Sequence, residues 1–369
     1  MTGNLLQEVN RTLDVEKIGL EADARLFPPE PHIPLLLPKG FDPSDITSAV
    51  VKDYIAAIGA IHFPGEQGSN NWVVDGTMTQ TGKPLLANDP HRGIELPSLR
   101  KTVHLVAPGW NVIGAGEPAL PGIALGHNES IAWGFTIVGI DQQDLYVEKV
   151  NPENAAGYQS AGGWRSFEVE HQAIAVKGVD PQQVELKYSV HGPVIYEDAQ
   201  KHRAYSLKWV GSQPGGAGYL PTLKLARTQN WQEFHQAVSA YKIPSENLVY
   251  ADRQGNIGWI AAGLAPIRNG WPGLFPVPGD GAYEWNGFLP AADNPSSYNP
   301  ARHFIATANH NILPPGYPHE LGYAWAPPHP VRPDCRNAHL RWQVYGCRFC
   351  SNAAGHRFST CSGFQEDPK

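Results

Sequence analysis

The chain has 369 residues, enough for one large domain or two ordinary ones. Its 28 Lys and Arg against 35 Asp and Glu leave a net charge of −7, which argues against a nucleic-acid binder, because such proteins present a basic surface. With 41% hydrophobic and only 17% charged residues the chain is not of the disordered type, and no apolar run is long enough to span a bilayer.

The 38 Gly and 34 Pro follow no collagen-like period, and together with 11 Trp and 14 Tyr they point to a loop-rich, strand-heavy enzyme or binding protein. No basic stretch followed by an apolar core opens the chain, so no signal peptide is read there. Residues 1–40 begin polar and pass into a Pro-rich stretch, Leu26-Phe-Pro-Pro-Glu-Pro-His-Ile-Pro, that reads as an extended connector. Asp42 as N-cap and Pro43 at the first helical position then predict a helix. Its stripe is Ile46, Val50, Val51, Tyr54, Ile55 and Ile58, and Gly59 closes it.

From Ser69 onward the texture is mostly strand. Val184, Leu186, Tyr188 and Val190 alternate with polar residues, and Tyr205, Leu207 and Trp209 repeat the pattern. Leu248-Val-Tyr-Ala and Ile257-Gly-Trp-Ile flank a Gly-containing turn and predict a hairpin. One helix interrupts the strands, capped by Asn230 with Glu233 completing a capping box, its stripe being Trp231, Phe234, Val238 and Tyr241. Long strands with few helices between them predict antiparallel sheets, not a doubly wound fold.

The four cysteines, Cys335, Cys347, Cys350 and Cys361, all lie near the C-terminus, where the strand texture stops. A lone Cys347-Arg-Phe-Cys350 with His339 and His356 fits no common zinc module, so a zinc-binding interaction protein is the remote alternative. The preferred reading is that 329–369 is an atypical tail, foreign to what precedes it, as an out-of-frame end would be.

The well-patterned region holds no cysteine, which excludes a thiol nucleophile there. It also holds no Gly-x-Ser-x-Gly elbow, no phosphate-binding loop and no His-Glu-x-x-His. What stands out is Gly65-Glu-Gln-Gly68-Ser69-Asn70-Asn71-Trp72-Val73-Val74, a Gly-Ser junction at the entry to a strand. Its bland reading is an ordinary turn. Ser69-Asn-Asn-Trp-Val-Val followed by Gly82-Lys-Pro-Leu-Leu-Ala-Asn-Asp-Pro-His91 resembles the penicillin acylase (penicillin amidase) family of N-terminal-nucleophile hydrolases. Further matching segments follow in order: Pro121 to Thr136, Asp141-Gln-Gln-Asp-Leu, His191-Gly-Pro-Val, Tyr250 to Trp259, and Ile305-Ala-Thr-Ala-Asn-His-Asn.

The resemblance implies an α+β fold, the αββα four-layer sandwich of these hydrolases, here incomplete because relatives are longer at both ends. It divides the chain into a pre-nucleophile remnant and spacer at 1–68, a hydrolase core at 69–328 and the tail. It implies a zymogen cut between Gly68 and Ser69 into a two-chain heterodimer. Ser69 would then attack a linear acyl amide, with penicillins, cephalosporins and acyl-homoserine lactones as candidate substrates, the first two pointing to antibiotic metabolism. Oxyanion donors would be the Asn309 amide and the backbone N–H of Ile137, with His91 orienting the nucleophile. The same resemblance implies pocket positions at Arg92 and Leu125, whereas the role of a basic residue near Arg332 is not carried over. Asp141 and Asp144, with Glu320, would bind a structural calcium. The resemblance also implies a periplasmic or secreted protein. The rival reading is a non-catalytic truncated remnant of such an enzyme.

Overall fold

The computed structural model describes residues 4–61, 68–91, 93, 96–118, 120–216, 222–323 and 325, with two short paired strands, Gln343–Val344 and Cys347–Arg348. The rest of the cysteine-bearing tail, Arg332, Arg92 and the loop before Gly68 lie outside the described residues.

Three sheets make up the body. The Gly68–Val74 strand is the middle of a three-stranded sheet, antiparallel to Leu85–His91 on one side and to Phe304–Thr307 on the other. A seven-stranded sheet faces it, with Glu246–Asp252 paired to both Ile131–Ile137 and Ile257–Ala262. The third sheet is built around Gln143–Asn151, which pairs with Arg203–Trp209.

Strand alternation explains how the first two sheets stack. On Glu246–Asp252, Val249 and Ala251 point toward the three-stranded sheet and pack with Val73, Ile257, Trp259, Ala261 and Ile305. Leu248 and Tyr250 point the other way and meet Trp133, Phe135, Ile260 and the apolar stripe of the Trp231–Val238 helix. Both faces being covered, every residue of Glu246–Asp252 is buried. Helix, seven-stranded sheet and three-stranded sheet thus follow one another in the order of the expected αββα sandwich.

The helix that Asn230 caps forms over Trp231–Val238, with Tyr241 of the expected stripe past its end but packed in the same core: Asn230 Oδ1 accepts from the Glu233 N–H at 3.0 Å, and the Glu233 carboxylate accepts from the Gln229 N–H at 2.9 Å. The hairpin also stands, with Tyr250 opposite Gly258. The helix expected after Asp42 is broken. Asp42 caps only the 3₁₀ turn Pro43–Asp45, Ile46 is extended, and the α-helix runs over Lys52–Ile61, past Gly59. The cause is tertiary: Tyr205 donates its hydroxyl to the Asp45 carbonyl and Arg203 Nε pairs with Asp45 Oδ2 at 2.9 Å. With Ile46 extended, that carbonyl is satisfied by the Tyr205 hydroxyl outside any helix. The polar N-terminus conceals two helices, Asn4–Ile18 and Leu20–Leu26. Leu5 and Val9 of the first pack on Leu145, Val147, Tyr205 and Leu207.

Candidate active site

Ser69 is the second residue of its strand, opposite Pro90, and is buried. Its Oγ donates to the carbonyl oxygen of Gly68 at 2.6 Å, so the hydroxyl rests against the peptide group that precedes it. Gly68 lies opposite His91 in register. A Cβ on Gly68 would stand 3.6 Å from His91 Nδ1 and 3.7 Å from Asn309 Nδ2, so these two side chains flank the Gly68–Ser69 junction.

Asn309 reaches the junction because the chain turns sharply after Phe304–Thr307: its φ is 64°, a left-handed conformation that Asn tolerates better than most residues. Its Nδ2 donates to the Ser69 carbonyl at 2.7 Å, and its buried Oδ1 has no hydrogen-bond partner among the described residues. His91 Nε2 lies 3.4 Å from Asn70 Nδ2 and 3.4 Å from Asp89 Oδ2, so the ring is held from its own and the neighbouring strand. Ile137 ends its strand opposite Glu246, and its carbonyl accepts from Asn247 Nδ2 at 3.2 Å. Leu125 opens the strand Leu125–Asn128 and packs, partly buried, on the core beneath the Trp231–Val238 helix.

Asn88, three residues before His91, lies on the same strand. Its Nδ2 donates to the Phe135 carbonyl at 3.2 Å, linking the two facing sheets. A Cβ at Gly134 would fall 2.1 Å from Asn88 Oδ1, so only glycine admits this approach.

The acidic pair lies elsewhere. Asp141 and Asp144 are buried around Arg268, whose Nη2 is 3.1 Å from Asp141 Oδ1 and 2.8 Å from Asp144 Oδ2. A third carboxylate, Glu8, arrives from the N-terminal helix. Its Oε2 accepts from the Leu145 N–H at 3.1 Å, and its Oε1 is buried without a partner among the described residues. Burial, then repulsion from Asp144 and Asp141, pushes Glu8 well above the usual carboxylate range. Burial also drives Asp141 up to about 8, against the pull of Arg268. Three carboxyl groups thus share one guanidinium. Glu320 is exposed, and burial and then its charge push the Tyr323 hydroxyl up. A cavity of about 240 Å³ borders Glu8, Asp141 and Tyr323. Among the described residues no three acidic, His or Cys groups are spaced to hold one ion together, yet all-oxygen donors, surplus negative charge and an unpartnered Glu8 oxygen are chemistry that suits a hard cation.

Facing sheets covered by a helix are the fold of the N-terminal-nucleophile hydrolases, and the match to a solved member shows it. The solved structure of a thermostable penicillin G acylase from Alcaligenes faecalis superposes with a TM-score of 0.65 at 32% identity, covering 70% of this chain and 46% of that one. The sequence model of the penicillin amidase family matches residues 1–347, and the chain belongs to that family. It is 28% identical to the acyl-homoserine lactone acylase QuiP of Pseudomonas aeruginosa over 87% of this chain and 40% of that protein. It is 32% identical to penicillin G acylase of Escherichia coli over 66% of this chain and 29% of that protein. A penicillin acylase 2 proenzyme from a Pseudomonas species is 30% identical, over 71% and 34% respectively. The chain therefore spans less than half the length of these relatives. Among the described residues no helix is long and apolar enough to cross a membrane.

Proposed function

We propose that this chain hydrolyses linear acyl amides, using Ser69 as an N-terminal nucleophile that it exposes by cutting its own Gly68–Ser69 bond. The observation that carries the reading is the Ser69 hydroxyl held 2.6 Å from the Gly68 carbonyl oxygen, with the Asn309 amide beside it. Attack of Oγ on the Gly68 carbonyl carbon forms an ester as the C–N bond breaks and the nitrogen takes up the proton. Water then opens the ester. Residues 1–68 then end in a carboxylate, and Ser69 keeps a free α-amine. That amine titrates near about 7.7–8.0 in model peptides, so it serves as the base for the hydroxyl on its own residue.

In turnover the substrate's acyl carbonyl takes the place of the Gly68 carbonyl, so the groups flanking Gly68 flank the reacting carbon. Asn309 Nδ2 and the Ile137 N–H are the proposed oxyanion donors, and His91 the orienting group. The names of the relatives support an acyl-homoserine lactone or a penicillin-type amide as substrate. Arg92 and Leu125 are proposed pocket positions. Calcium is proposed as a structural ion held by Asp141 and Asp144, with Glu8 supplying the acidic ligand from before the cut and Glu320 a further one. Its chemistry is to neutralise the surplus carboxylate charge and brace the two segments. A periplasmic or secreted location is proposed on family resemblance alone.

The test is the intact mass of the purified chain beside Ser69→Ala. The expected result is the first 68 residues and the remaining 301 of the 369 as separate masses, absent from the variant, with amine release from an acyl-homoserine lactone or penicillin G. A single uncut natural chain would make it the non-catalytic remnant.

A further inference from the structure

A continuous line of polar side chains runs through the largely apolar interface between the two facing sheets. The Trp259 indole N–H donates to Asn247 Oδ1 at 2.9 Å. Asn247 Nδ2 donates to Thr136 Oγ1 at 3.2 Å. Thr136 and Thr307 share a hydroxyl–hydroxyl bond of 2.5 Å, and Thr307 donates to Asn71 Oδ1 at 2.8 Å. All five residues are buried. An indole N–H can only donate, so it fixes which end of the Asn247 amide faces it. Each threonine has one hydroxyl hydrogen. Thr307 gives its own to Asn71, so the hydrogen between the threonines belongs to Thr136. Every bond in the line therefore runs the same way, and each hydroxyl both accepts and donates, an arrangement in which neighbouring bonds strengthen one another.

The line touches each proposed catalytic segment close to its working residue. Asn71 follows Ser69 by two positions on the same face of one strand. Thr307 ends the strand that leads to Asn309, and it pairs with Asn71 in register. Thr136 precedes Ile137, whose carbonyl takes the second Asn247 N–H at 3.2 Å. The hydrophobic effect between the sheets is non-directional and by itself specifies no donor–acceptor register. Hydrogen bonds with fixed donors and acceptors do.

We propose that Asn247, Thr136, Thr307 and Asn71 are positioning residues, which lock the strands bearing Ser69, Ile137 and Asn309 into the register that both self-cleavage and turnover require. This rests on Ser69 being the nucleophile. A small displacement of catalytic groups by a change away from the chemistry costs up to about 100-fold.

The experiment compares the natural full-length chain with Thr136→Val, Thr307→Val and the hydroxyl-retaining Thr136→Ser, following self-cleavage by intact mass and, in cleaved protein, kcat and KM on an acyl-homoserine lactone. Each chain's thermal midpoint is measured alongside. Valine keeps the shape of threonine and removes the hydroxyl. The expected result is cleavage and kcat slowed about 10- to 100-fold by either valine, with KM and folding retained, and rates restored by serine. Valine variants that cut and turn over like the natural chain overturn the proposal. So does a loss that serine fails to restore, which would be packing, or valine variants that cannot fold, which would make the line a support of the fold and not of the site. A natural chain that never cuts overturns the nucleophile reading itself, a result the variants cannot mimic.

Discussion

Asn309 separates two things a residue can contribute, an amide and a backbone shape. With φ at 64° it occupies a region costly for most side chains, while its Nδ2 reaches the Ser69 carbonyl. Asn309→Gly keeps the turn and removes the amide; Asn309→Ala removes the amide and strains the turn. Both are expected to slow self-cleavage about 100- to 1,000-fold, the usual loss for one oxyanion donor, as followed by intact mass. Only alanine should also lower the thermal stability, by about 1 kcal/mol. Equal cleavage in the natural and glycine chains would remove Asn309 from the site. At this scale the sequence says much. Ser69, His91 and Asn309 were each readable from short motifs, and strand pairing brings them together although Asn309 and Ser69 are 240 residues apart. Glu8 was not readable. It sits 137 residues before the Leu145 N–H it accepts from, in a helix that no motif marks.

Elements are held by contacts that a local pattern does not contain. Pro43 and Asp42 are a helix start by every local rule, yet Tyr205 and Arg203, far along the chain, seize Asp45 and end the turn. The Asn4–Ile18 helix reads as polar in sequence, though Leu5, Val9, Thr12 and Val15 lie buried along one face. Where a local rule is left alone it holds, as in the Asn230 cap, and Asn230→Ala should cost about 1 kcal/mol in a thermal or urea melt. His191, just before the strand Gly192–Asp198, has its own titration. His191 Nδ1 and Nε2 lie 2.8 Å from Glu148 and from Glu284, with the ring stacked on Tyr146. Burial pulls the imidazole down, but the two carboxylates outweigh it and its pKa lies above the ordinary 6.5. The charged form binds its proton more tightly folded than unfolded. Its stabilisation is therefore complete below 6.5 and lost as pH rises through the raised value. Glu284 behaves oppositely. Burial lifts it, but His191 and Lys208 bring it down to about 2, so its contribution is present above 4.5 and lost as pH falls toward that value. Removing the imidazole with His191→Gln should cost about 2 kcal/mol near pH 6, less than a fully buried pair because Glu284 is 45% exposed. The gap between the two chains' thermal midpoints should narrow as pH rises past the raised value. A gap constant from pH 5 to 9 would mean that the imidazole's charge contributes nothing.

On the scale of the whole molecule, the question is what happens to the first 68 residues once the bond before Ser69 is cut. Beyond the Gly68–His91 pairing at the cut, the apolar ties among the described residues lie far from it. Leu5, Val9, Ile46, Val50 and Val51 are buried on Leu145, Val147, Tyr205 and Leu207, and Leu35 is buried in a second cluster with Phe275 and Tyr323. Each such side chain contributes about 1.5–3 kcal/mol on burial, so the sum exceeds what dilution alone can overcome. Polar ties add direction: Glu8 to the Leu145 N–H, Arg203 to Asp45, and the Trp325 indole to the Glu30 carbonyl at 3.0 Å. The two pieces are therefore expected to co-elute in gel filtration at the size of the uncut chain and to part only in denaturant. Leu5→Asp with Val9→Asp places two carboxylates in the apolar contact without touching Ser69, His91 or Asn309. In that variant the short piece should leave the column separately if the cut still occurs. Pieces that separate from the natural chain in plain buffer would show instead that the helix seat on the third sheet depends on the intact bond. The acidic site would then lose Glu8 at the moment of maturation.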